Sequence, residues 1–279
     1  MQQNLYNDIS LRSSKIITRK YSTSFSFGIS LLSKQIQDPI YAIYGFVRIA
    51  DEIVDTFHGF EQEKILKEFK IETYRALDRG ISTNPVLQAF QETVNKYRIP
   101  RDLIECFLNS MEMDLHDLDY DYKTFKQYIL GSAEVVGLMC LKVFCLGDEK
   151  QYEELKPYAM ALGSAFQKIN FLRDLKADYK ELGRSYFPDV DLSQFSDETK
   201  AKIEADIEKD FKYAKIGIAQ LPKVSRLGVY VAYVYYWKLF KKIKSTPSDK
   251  VMDSRIRIPN GQKFYLMFSS YIRHNLNLL

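Results

Sequence analysis

Two pairs of aspartates with the same spacing are the residues of this chain best suited to chemistry. Asp51 and Asp55 lie in RIADEIVD, and Asp174 and Asp178 lie in NFLRDLKAD. On a helix, residues four apart share one face with Cβ atoms roughly 5–6 Å apart, and like charges there are unfavourable by roughly 0.2–0.5 kcal/mol. Two such pairs within apolar segments indicate a positively charged partner, and a hard divalent cation is the natural candidate.

Each aspartate pair belongs to a polar stripe on a predicted helix that is otherwise mostly apolar. At about 100° per residue, the first stripe spans an arc of about 60° and the second about 80°. Carboxylate and amide oxygens suit Mg²⁺ and its waters. Each stripe therefore indicates either the solvent-facing edge of a buried helix or the wall of an internal cavity. The first stripe holds Tyr44, Arg48, Asp51 and Asp55, and the second holds Gln167, Asn170, Asp174 and Asp178.

Arginines accompany both acidic segments, because Arg48, Arg173 and Arg184 lie on or beside them. A guanidinium can hold phosphate oxygens through two parallel N–H bonds. Mg²⁺ in turn is commonly bound by a few carboxylates together with substrate phosphates. The arginines therefore either bind a diphosphate next to the metal ions or neutralise the aspartates in surface ion pairs. The duplicated acid pair with flanking Arg, Asn and Gln favours the diphosphate.

The elements that must position these residues are predicted to be helices. The 12 Gly and 8 Pro fall mostly between stretches of helical periodicity. VYVAYVYYW (229–237) is typical of a strand in composition, but no second strand of similar strength could pair with it, so we favour a buried helix. We therefore predict an all-α fold in a single domain, 1–279. The other predicted helices cover 38–57, 61–78, 84–98, 100–115, 122–146, 151–180 and 197–219.

Of three further features, the first and the last leave two interpretations open. The 20 Tyr and 18 Phe either fill an ordinary core or line a pocket that stabilises a cation. The acidic run MEMDLHDLDYDY (111–122), which contains Asp114, forms no clean helical face, and we expect a solvated helix end there. The apolar C-terminal stretch, 263–279, is either a last core helix or a segment that docks peripherally on the membrane.

Composition and motifs exclude several classes of protein. The 40 basic and 36 acidic residues are mixed along the chain without a nucleic-acid-binding arm, so we expect no nucleic-acid partner. Dinucleotide, P-loop and nucleophile-elbow motifs are absent. Cys106, Cys140 and Cys145 lack metal-ligand spacing and indicate reduced thiols. No apolar run reaches about 18 residues free of charge. We expect a cytoplasmic protein, with peripheral contact to the inner face of the membrane as the open alternative.

Four blocks of the sequence resemble the squalene/phytoene synthase family, the trans-isoprenyl diphosphate head-to-head synthases. They lie within residues 15–260, and their wording is most similar to bacterial phytoene synthases. The resemblance implies an isoprenoid synthase fold around a central cavity, with two or three Mg²⁺ (Mn²⁺ as an alternative) between the aspartate-rich helices. The blocks are YSTSFSFG (21–28), YAIYGFVRIADEIVD (41–55), YILGSAEVVGLM (128–139) and QKINFLRDLKADYKELGRSYFP (167–188).

The resemblance also implies roles for individual residues. Tyr21 stands where some members have His, and Glu134 replaces a Gly of the family's small-residue run. The implied metal ligands are Asp51, Asp55, Asn170, Asp174 and Asp178. The implied catalytic set is Tyr44 and Arg48 with the four paired aspartates, Asp51, Asp55, Asp174 and Asp178. The implied substrate-binding residues are Tyr21, Ser22, Ser24, Phe25, Tyr44, Arg48, Val135, Gln167, Arg173, Tyr236 and Arg255.

The family's chemistry implies a prenyl transferase that joins two prenyl diphosphates 1′–1. Phytoene requires two geranylgeranyl diphosphates and no reductant, whereas squalene requires two farnesyl diphosphates and NADPH. Because the chain carries no nucleotide fingerprint, we expect phytoene as product and no nicotinamide cofactor, with carotenoid-pathway enzymes as partners. Squalene or dehydrosqualene synthesis is the alternative. A non-catalytic assembly protein of the same fold is a remote one, because both acid pairs are intact.

Overall fold

The computed structural model describes residues 2–116, 121–176, 186–188, 190, 194–253 and 255–259. Helices account for the regular structure of these segments and no strand occurs in them, which confirms the all-α prediction. The helices are α1 Gln2–Tyr21, α2 Thr23–Ser30, α3 Lys34–Thr56, α4 Gln62–Arg79, α5 Pro85–Tyr97, α6 Arg101–Met113, α7 Tyr122–Ile129, α8 Val135–Phe144, α9 Glu149–Lys176, α10 Asp197–Gln220, α11 Lys223–Lys244 and α12 Ser248–Asp253.

Two predicted boundaries were wrong. The helix expected from residue 38 begins at Lys34, so Pro39 lies inside α3 rather than in its first turn. The single helix expected over 122–146 is interrupted by a π-helical turn, Leu130–Glu134, between α7 and α8. This turn lies against α6, since a Cβ on Gly131 would come within 2.6 Å of the Ser110 Cβ. Such close tertiary packing leaves no signal in the periodicity of the segment itself.

The ambiguous stretch 229–237 is helical, as favoured, and forms the middle of α11. Tyr230, Tyr233 and Tyr236 are buried at three-residue spacing, so one face of the helix packs into the core. At Gly228 the helix approaches α2 closely, because a Cβ there would lie 2.7 Å from the Gly28 carbonyl oxygen. Core packing of the aromatic face therefore outweighs the weak strand propensity.

Two hydrophobic clusters form the core. One is built mainly by α3, α4, α5, α6 and α8, and Phe46 stacks on Phe90 at its centre with ring centroids 3.8 Å apart. The other is built mainly by α7, α9, α10 and α11, with Phe211 fully buried. Residues of both clusters line a common cavity. The C-terminal stretch predicted over 263–279 lies outside the described residues.

One described stretch, Tyr122–Phe144, is long and apolar enough to cross a bilayer by length and composition. Half of its apolar 18-residue window is buried inside the protein. It also contains the π turn and packs on α6 and α9. These contacts indicate that α7 and α8 pack within the core of the protein.

Candidate active site

A cavity of about 930 Å³ lies between the two core clusters. Helices α2, α3, α8, α9, α10 and α11 all contribute to its wall. One face of α9 lines it over five turns at helical spacing, from Leu155 at one end to Asp174 at the other. Polar side chains gather at the Asp174 end, which we call the polar mouth, while the wall towards Leu155 is apolar. The cavity thus has the shape of a polar entrance with an apolar interior.

The polar stripe of α3 faces this cavity rather than bulk solvent, since Tyr44, Arg48, Asp51 and Asp55 are all lining residues. Burial raises the pKa of Asp51 to about 7, with the charge of Asp55 adding to the rise and Arg48 opposing it. The Asp51 side chain is still 37% accessible, and that surface belongs to the polar mouth. Two neighbouring carboxylates that are partly shielded from water repel each other, so a further positive charge beside them would be stabilising.

Arg48 is fixed by neighbours on three sides. Its Nη1 donates to Asp51 Oδ2 at 2.9 Å, and its Nη2 pairs with Glu52. Its guanidinium lies over the Tyr21 ring, 4.4 Å from the centroid. The Nε–H is buried and has no hydrogen-bond partner. A buried N–H without an acceptor is costly, so this group offers one unused donor in the wall of the mouth.

The second stripe, on α9, also faces the cavity through Gln167, Asn170 and Asp174. The Asn170 amide donates to Gln167 Oε1 at 3.4 Å, and its own Oδ1 accepts from the Tyr236 hydroxyl at 3.3 Å. This bond orients the Asn170 carbonyl oxygen. Burial raises the pKa of Tyr236 to about 12, so its hydroxyl is protonated and acts as the donor.

Asp174 is held between two arginines. Its carboxylate pairs with Arg173 Nη2 at 2.5 Å and with Arg255 Nε at 2.8 Å. Both arginines line the cavity, so cationic groups stand next to the acidic ones on this side of the mouth. Asp178 and Arg184 lie outside the described residues.

The remaining sequence-predicted residues divide into two groups. Phe25 and Tyr236 line the cavity, with ring centroids 6.2 Å apart. Ser22 caps α2, where its Oγ accepts from the Phe25 N–H at 3.2 Å. Four of the predicted binding residues, and Glu134, are not among the described residues that line the cavity. These four are Tyr21, Ser22, Ser24 and Val135.

In the small-residue run the cavity wall is formed by neighbours of Val135 and Glu134, namely Ser132, Ala133, Val136 and Gly137. Val135 is itself buried in the first core cluster. Glu134 is partly buried, and it interacts with the Asp210 carboxylate on α10 and the Lys168 ammonium on α9. Glu134 therefore lies beside the cavity and adds no charged side chain to its lining.

This chain matches a protein-family model over most of its length. The model described as Squalene/phytoene synthase matches residues 18–262. The chain belongs to the squalene/phytoene synthase family. This family consists of enzymes that condense prenyl diphosphates head to head. Membership confirms the family resemblance of the four sequence blocks and assigns the chain to the prenyl transferases in general terms.

Several relatives of this family member are similar over most of the chain. The 4,4′-diapophytoene synthase of Staphylococcus haemolyticus is 28% identical over 72% of this chain and 69% of its own length. The 15-cis-phytoene synthase of Synechococcus elongatus is 26% identical over 88% of this chain and 87% of its own length. Against chloroplastic phytoene synthase 1 of Zea mays, the identity is 26% and the chain spans 66% of that protein.

Solved structures of the family share this fold. A dehydrosqualene synthase in complex with ligand superposes with a TM-score of 0.82 at 19% identity, covering 96% of this chain and 98% of that one. A squalene synthase from Alicyclobacillus acidocaldarius gives 0.75 at 20% identity, covering 86% and 95%. These likenesses confirm the isoprenoid synthase fold.

Three residues that line the cavity were not predicted as site residues from the sequence. Asp114 was expected in a solvated helix end, but it is buried and accepts a hydrogen bond from the Tyr128 hydroxyl at 2.8 Å. Tyr186 stacks on Phe171 with centroids 4.2 Å apart. Asp114, Tyr128 and Tyr186 all line the cavity. Asp114 continues the buried face that runs through Phe107 and Met111 at helical spacing, and this was the signal in the sequence.

The oxygen donors at the mouth are compatible with Mg²⁺. No group of three or more Asp, Glu, His or Cys side chains within the described residues is arranged to hold a metal ion. Mg²⁺, however, keeps several waters and commonly takes one or two carboxylates plus substrate phosphates. Burial and the charge of Asp55 raise the pKa of Asp51 even though Arg48 donates to it, so a further positive charge would stabilise the two α3 carboxylates. A cation completed by phosphate oxygens fits this site better than an all-protein cage would.

Proposed function

We propose that this protein condenses two geranylgeranyl diphosphates 1′–1 into phytoene and releases diphosphate, a step of carotenoid biosynthesis. The observation that carries this proposal is the length of apolar wall behind the polar mouth. Asn170 and Leu155 both line the cavity on one face of α9. At 1.5 Å per residue, their separation along the helix axis is roughly 22 Å.

The length of a prenyl tail can be compared with this wall. With carbon–carbon bonds of about 1.5 Å at tetrahedral-like angles, an extended chain advances about 1.25 Å per bond. A geranylgeranyl main chain of about sixteen carbons then spans roughly 19 Å, and a farnesyl chain of about twelve roughly 14 Å. The wall accommodates the longer tail, and this supports the C20 substrate. A C15 tail would leave the region around Leu155 empty.

The polar mouth would bind the two diphosphates. Arg48 and Arg173 present guanidinium groups there, and Gln167 adds an amide donor. Guanidinium groups hold phosphate oxygens bidentately. We propose that Asp51, Asp55, Asn170 and Asp174, with Asp178, would hold Mg²⁺. When bound, Mg²⁺ would neutralise diphosphate charge and so favour departure of the leaving group.

The apolar interior would protect the cations that the reaction creates. Loss of diphosphate from one donor gives an allylic cation, which the double bond of the second donor attacks. The resulting cation loses a proton to give a cyclopropylcarbinyl (prephytoene) diphosphate. This intermediate ionises in turn, rearranges and loses a second proton to give the product. Phe166 and Tyr236 stack 3.9 Å apart just inside the mouth, and aromatic faces stabilise nearby cations.

Synthesis of a C30 product from two farnesyl diphosphates is the second candidate function. It is favoured by the similarity to a relative named 4,4′-diapophytoene synthase and to a solved dehydrosqualene synthase. Both candidates use the same mouth and the same first steps. They differ in how far the tails reach along α9.

Incubation of the purified protein with Mg²⁺ and either geranylgeranyl or farnesyl diphosphate tests the proposal. We expect a C40 hydrocarbon from the C20 donor without added NADPH, at a higher kcat/KM than any C30 hydrocarbon from the C15 donor. Failure to form a C40 hydrocarbon would contradict the phytoene assignment. A C30 product formed at the higher kcat/KM would establish the second candidate instead.

A further inference from the structure

We propose that the ring of Tyr158 seals the side of the cavity between α9 and α10, and so keeps water from the cationic intermediates. The inference rests on the proposed function, because water exclusion matters only if the cavity holds cations. Tyr158 lies on the cavity-lining face of α9, twelve residues before Asn170. It is thus well inside the apolar interior, away from the diphosphate-binding groups of the mouth.

Helices α9 and α10 pack against each other along the seam that Tyr158 occupies. Nearer the mouth, polar side chains join the two helices. Ser164 Oγ donates to Asp210 Oδ2 at 2.9 Å, and Lys168 Nζ donates to the same oxygen at 2.8 Å. These bonds close the part of the α9–α10 seam that lies nearest the polar mouth.

Further from the mouth, α10 lines the cavity with Ala214, Gly217 and Ile218. A Cβ on Gly217 would lie 2.3 Å from the Tyr158 Cβ and 2.6 Å from its Cγ. Any side chain at position 217 of α10 would therefore clash with Tyr158, and the Tyr158 ring fills the space beside Gly217. Closure at this level depends on the side chain of α9.

The outer side of the Tyr158 ring is close to solvent. Its centroid is 4.7 Å from that of Tyr213, whose side chain is 43% exposed. Tyr213 is not among the described residues that line the cavity. The order from inside to outside is therefore cavity, Tyr158 ring, exposed Tyr213 ring. Removing the first ring would join the cavity to the surface.

The chemical consequence follows from the allylic cation. Once diphosphate has left with the bonding electron pair, a water molecule can add its oxygen to C1. The resulting oxonium loses a proton to bulk water and leaves a prenyl alcohol. Attack by the second donor and capture by water thus compete for one intermediate, and an apolar wall that excludes water favours the hydrocarbon.

The test uses full-length protein, Mg²⁺ and geranylgeranyl diphosphate in H₂¹⁸O. We expect Tyr158→Ala to raise the ratio of C20 alcohol to C40 hydrocarbon about tenfold, because opening the wall shifts the competition towards water. The alcohol should carry ¹⁸O, which shows that the C–O bond formed with solvent; phosphate-ester cleavage at phosphorus would retain the substrate oxygen. Tyr158→Phe keeps the ring and should restore the native ratio.

Tyr213→Ala is the matched control, because it removes the outer ring of the same pair and leaves the seal. It should give the native product ratio. An unchanged ratio in Tyr158→Ala, or an equal rise in Tyr213→Ala, would overturn the inference while leaving phytoene synthesis intact. Absence of hydrocarbon from the native protein would overturn the proposed function, and the inference with it.

Thermal unfolding of each variant separates leakage from loss of fold. If Tyr158→Ala is unfolded at the assay temperature, Tyr158→Leu provides the measurement, since it retains apolar bulk but not the ring. An intermediate ratio of labelled alcohol to hydrocarbon supports the seal. A native ratio in folded Tyr158→Leu and Tyr158→Phe alike would show that the ring is dispensable, which overturns it.

Discussion

Asp51 illustrates how a single residue of the site differs from an ordinary helix-surface acid. Its carboxylate faces the cavity beside Asp55, and burial together with that neighbour raises its pKa to about 7. Arg48 donates to it at 2.9 Å but does not cancel the rise. A carboxylate held in this way destabilises the metal-free protein at neutral pH, and such a cost is typical of groups retained for binding.

This residue gives the first prediction. Asp51→Asn should reduce kcat/KM by at least about a hundredfold, because one proposed anionic ligand is lost from the first acid pair. The same change should leave the melting temperature of the metal-free protein equal or higher, since it relieves the repulsion with Asp55. Steady-state kinetics and thermal unfolding measure the two effects.

Asp38→Asn is the control, because Asp38 lies exposed near the start of the same helix. It should alter neither quantity. Near-native turnover of Asp51→Asn at ordinary Mg²⁺ concentration would refute the proposed metal role.

Between elements, the packing of the π turn against α6 and α9 was inaccessible to sequence reasoning. Periodicity predicted an unbroken helix over 122–146, because it reports which faces are apolar and not how closely two backbones approach. Gly163 of α9 lies so near the turn that a Cβ would be 2.8 Å from the Ala133 carbonyl oxygen. Phasing did place the Asp51 and Asp174 stripes correctly relative to their own helices. That both face one cavity required the tertiary structure.

Glu134 at this packing contact gives a prediction on pH. Burial raises its pKa to about 7, with the charge of Asp210 adding to the rise and those of Lys168 and Lys126 opposing it. The folded pKa exceeds the unfolded value of 4.5. The free energy of unfolding is therefore highest below pH 4.5, where Glu134 is protonated in both states. It decreases as the pH rises from that value through about 7, because the buried carboxyl must then ionise. Because Gln does not ionise, we expect Glu134→Gln to make this decrease in the free energy of unfolding about 2 kcal/mol smaller.

Chemical denaturation of the metal-free protein at pH 5 and pH 8 provides the measurement. Relative to the native protein, Glu134→Gln should gain about 2 kcal/mol in the free energy of unfolding between pH 5 and pH 8. Asp51 adds a slope of the same sign, so the difference between variant and native protein is the relevant quantity. Glu153→Gln, at an exposed site on α9, should leave that difference at zero. A Glu134→Gln variant that gained no stability relative to the native protein between pH 5 and pH 8 would contradict the assignment.

At the scale of the whole molecule, one helix lines both the polar mouth and the opposite end of the cavity. The lining face of α9 carries Asn170 and Asp174 at the polar mouth and Leu155 at the other end. Because the helix is continuous from Glu149 to Lys176, these two regions are held at a fixed separation. Neither the spacing of the aspartates nor the family motifs contain this distance, which is why the sequence left the tail length open.

Leu155 therefore gives the prediction that tests the cavity as a measure of length. The residue is 3% exposed and belongs to the end of the lining furthest from Asp174. Leu155→Phe adds bulk there, which a C20 tail of roughly 19 Å would meet and a C15 tail of roughly 14 Å would not. We expect the ratio of kcat/KM for geranylgeranyl to that for farnesyl diphosphate to fall about tenfold, or about 1.4 kcal/mol in relative transition-state binding.

Leu239→Phe separates this effect from general overpacking. Leu239 is 1% exposed in α11 and is not among the described residues that line the cavity. Both substitutions should lower stability by roughly 1–3 kcal/mol, because extra volume in a packed core forces neighbours to move. Only Leu155→Phe should change the ratio of the two substrates. If the ratio stayed constant in Leu155→Phe, the tails would not extend to this end of the cavity, and the C20 assignment would lose its structural support.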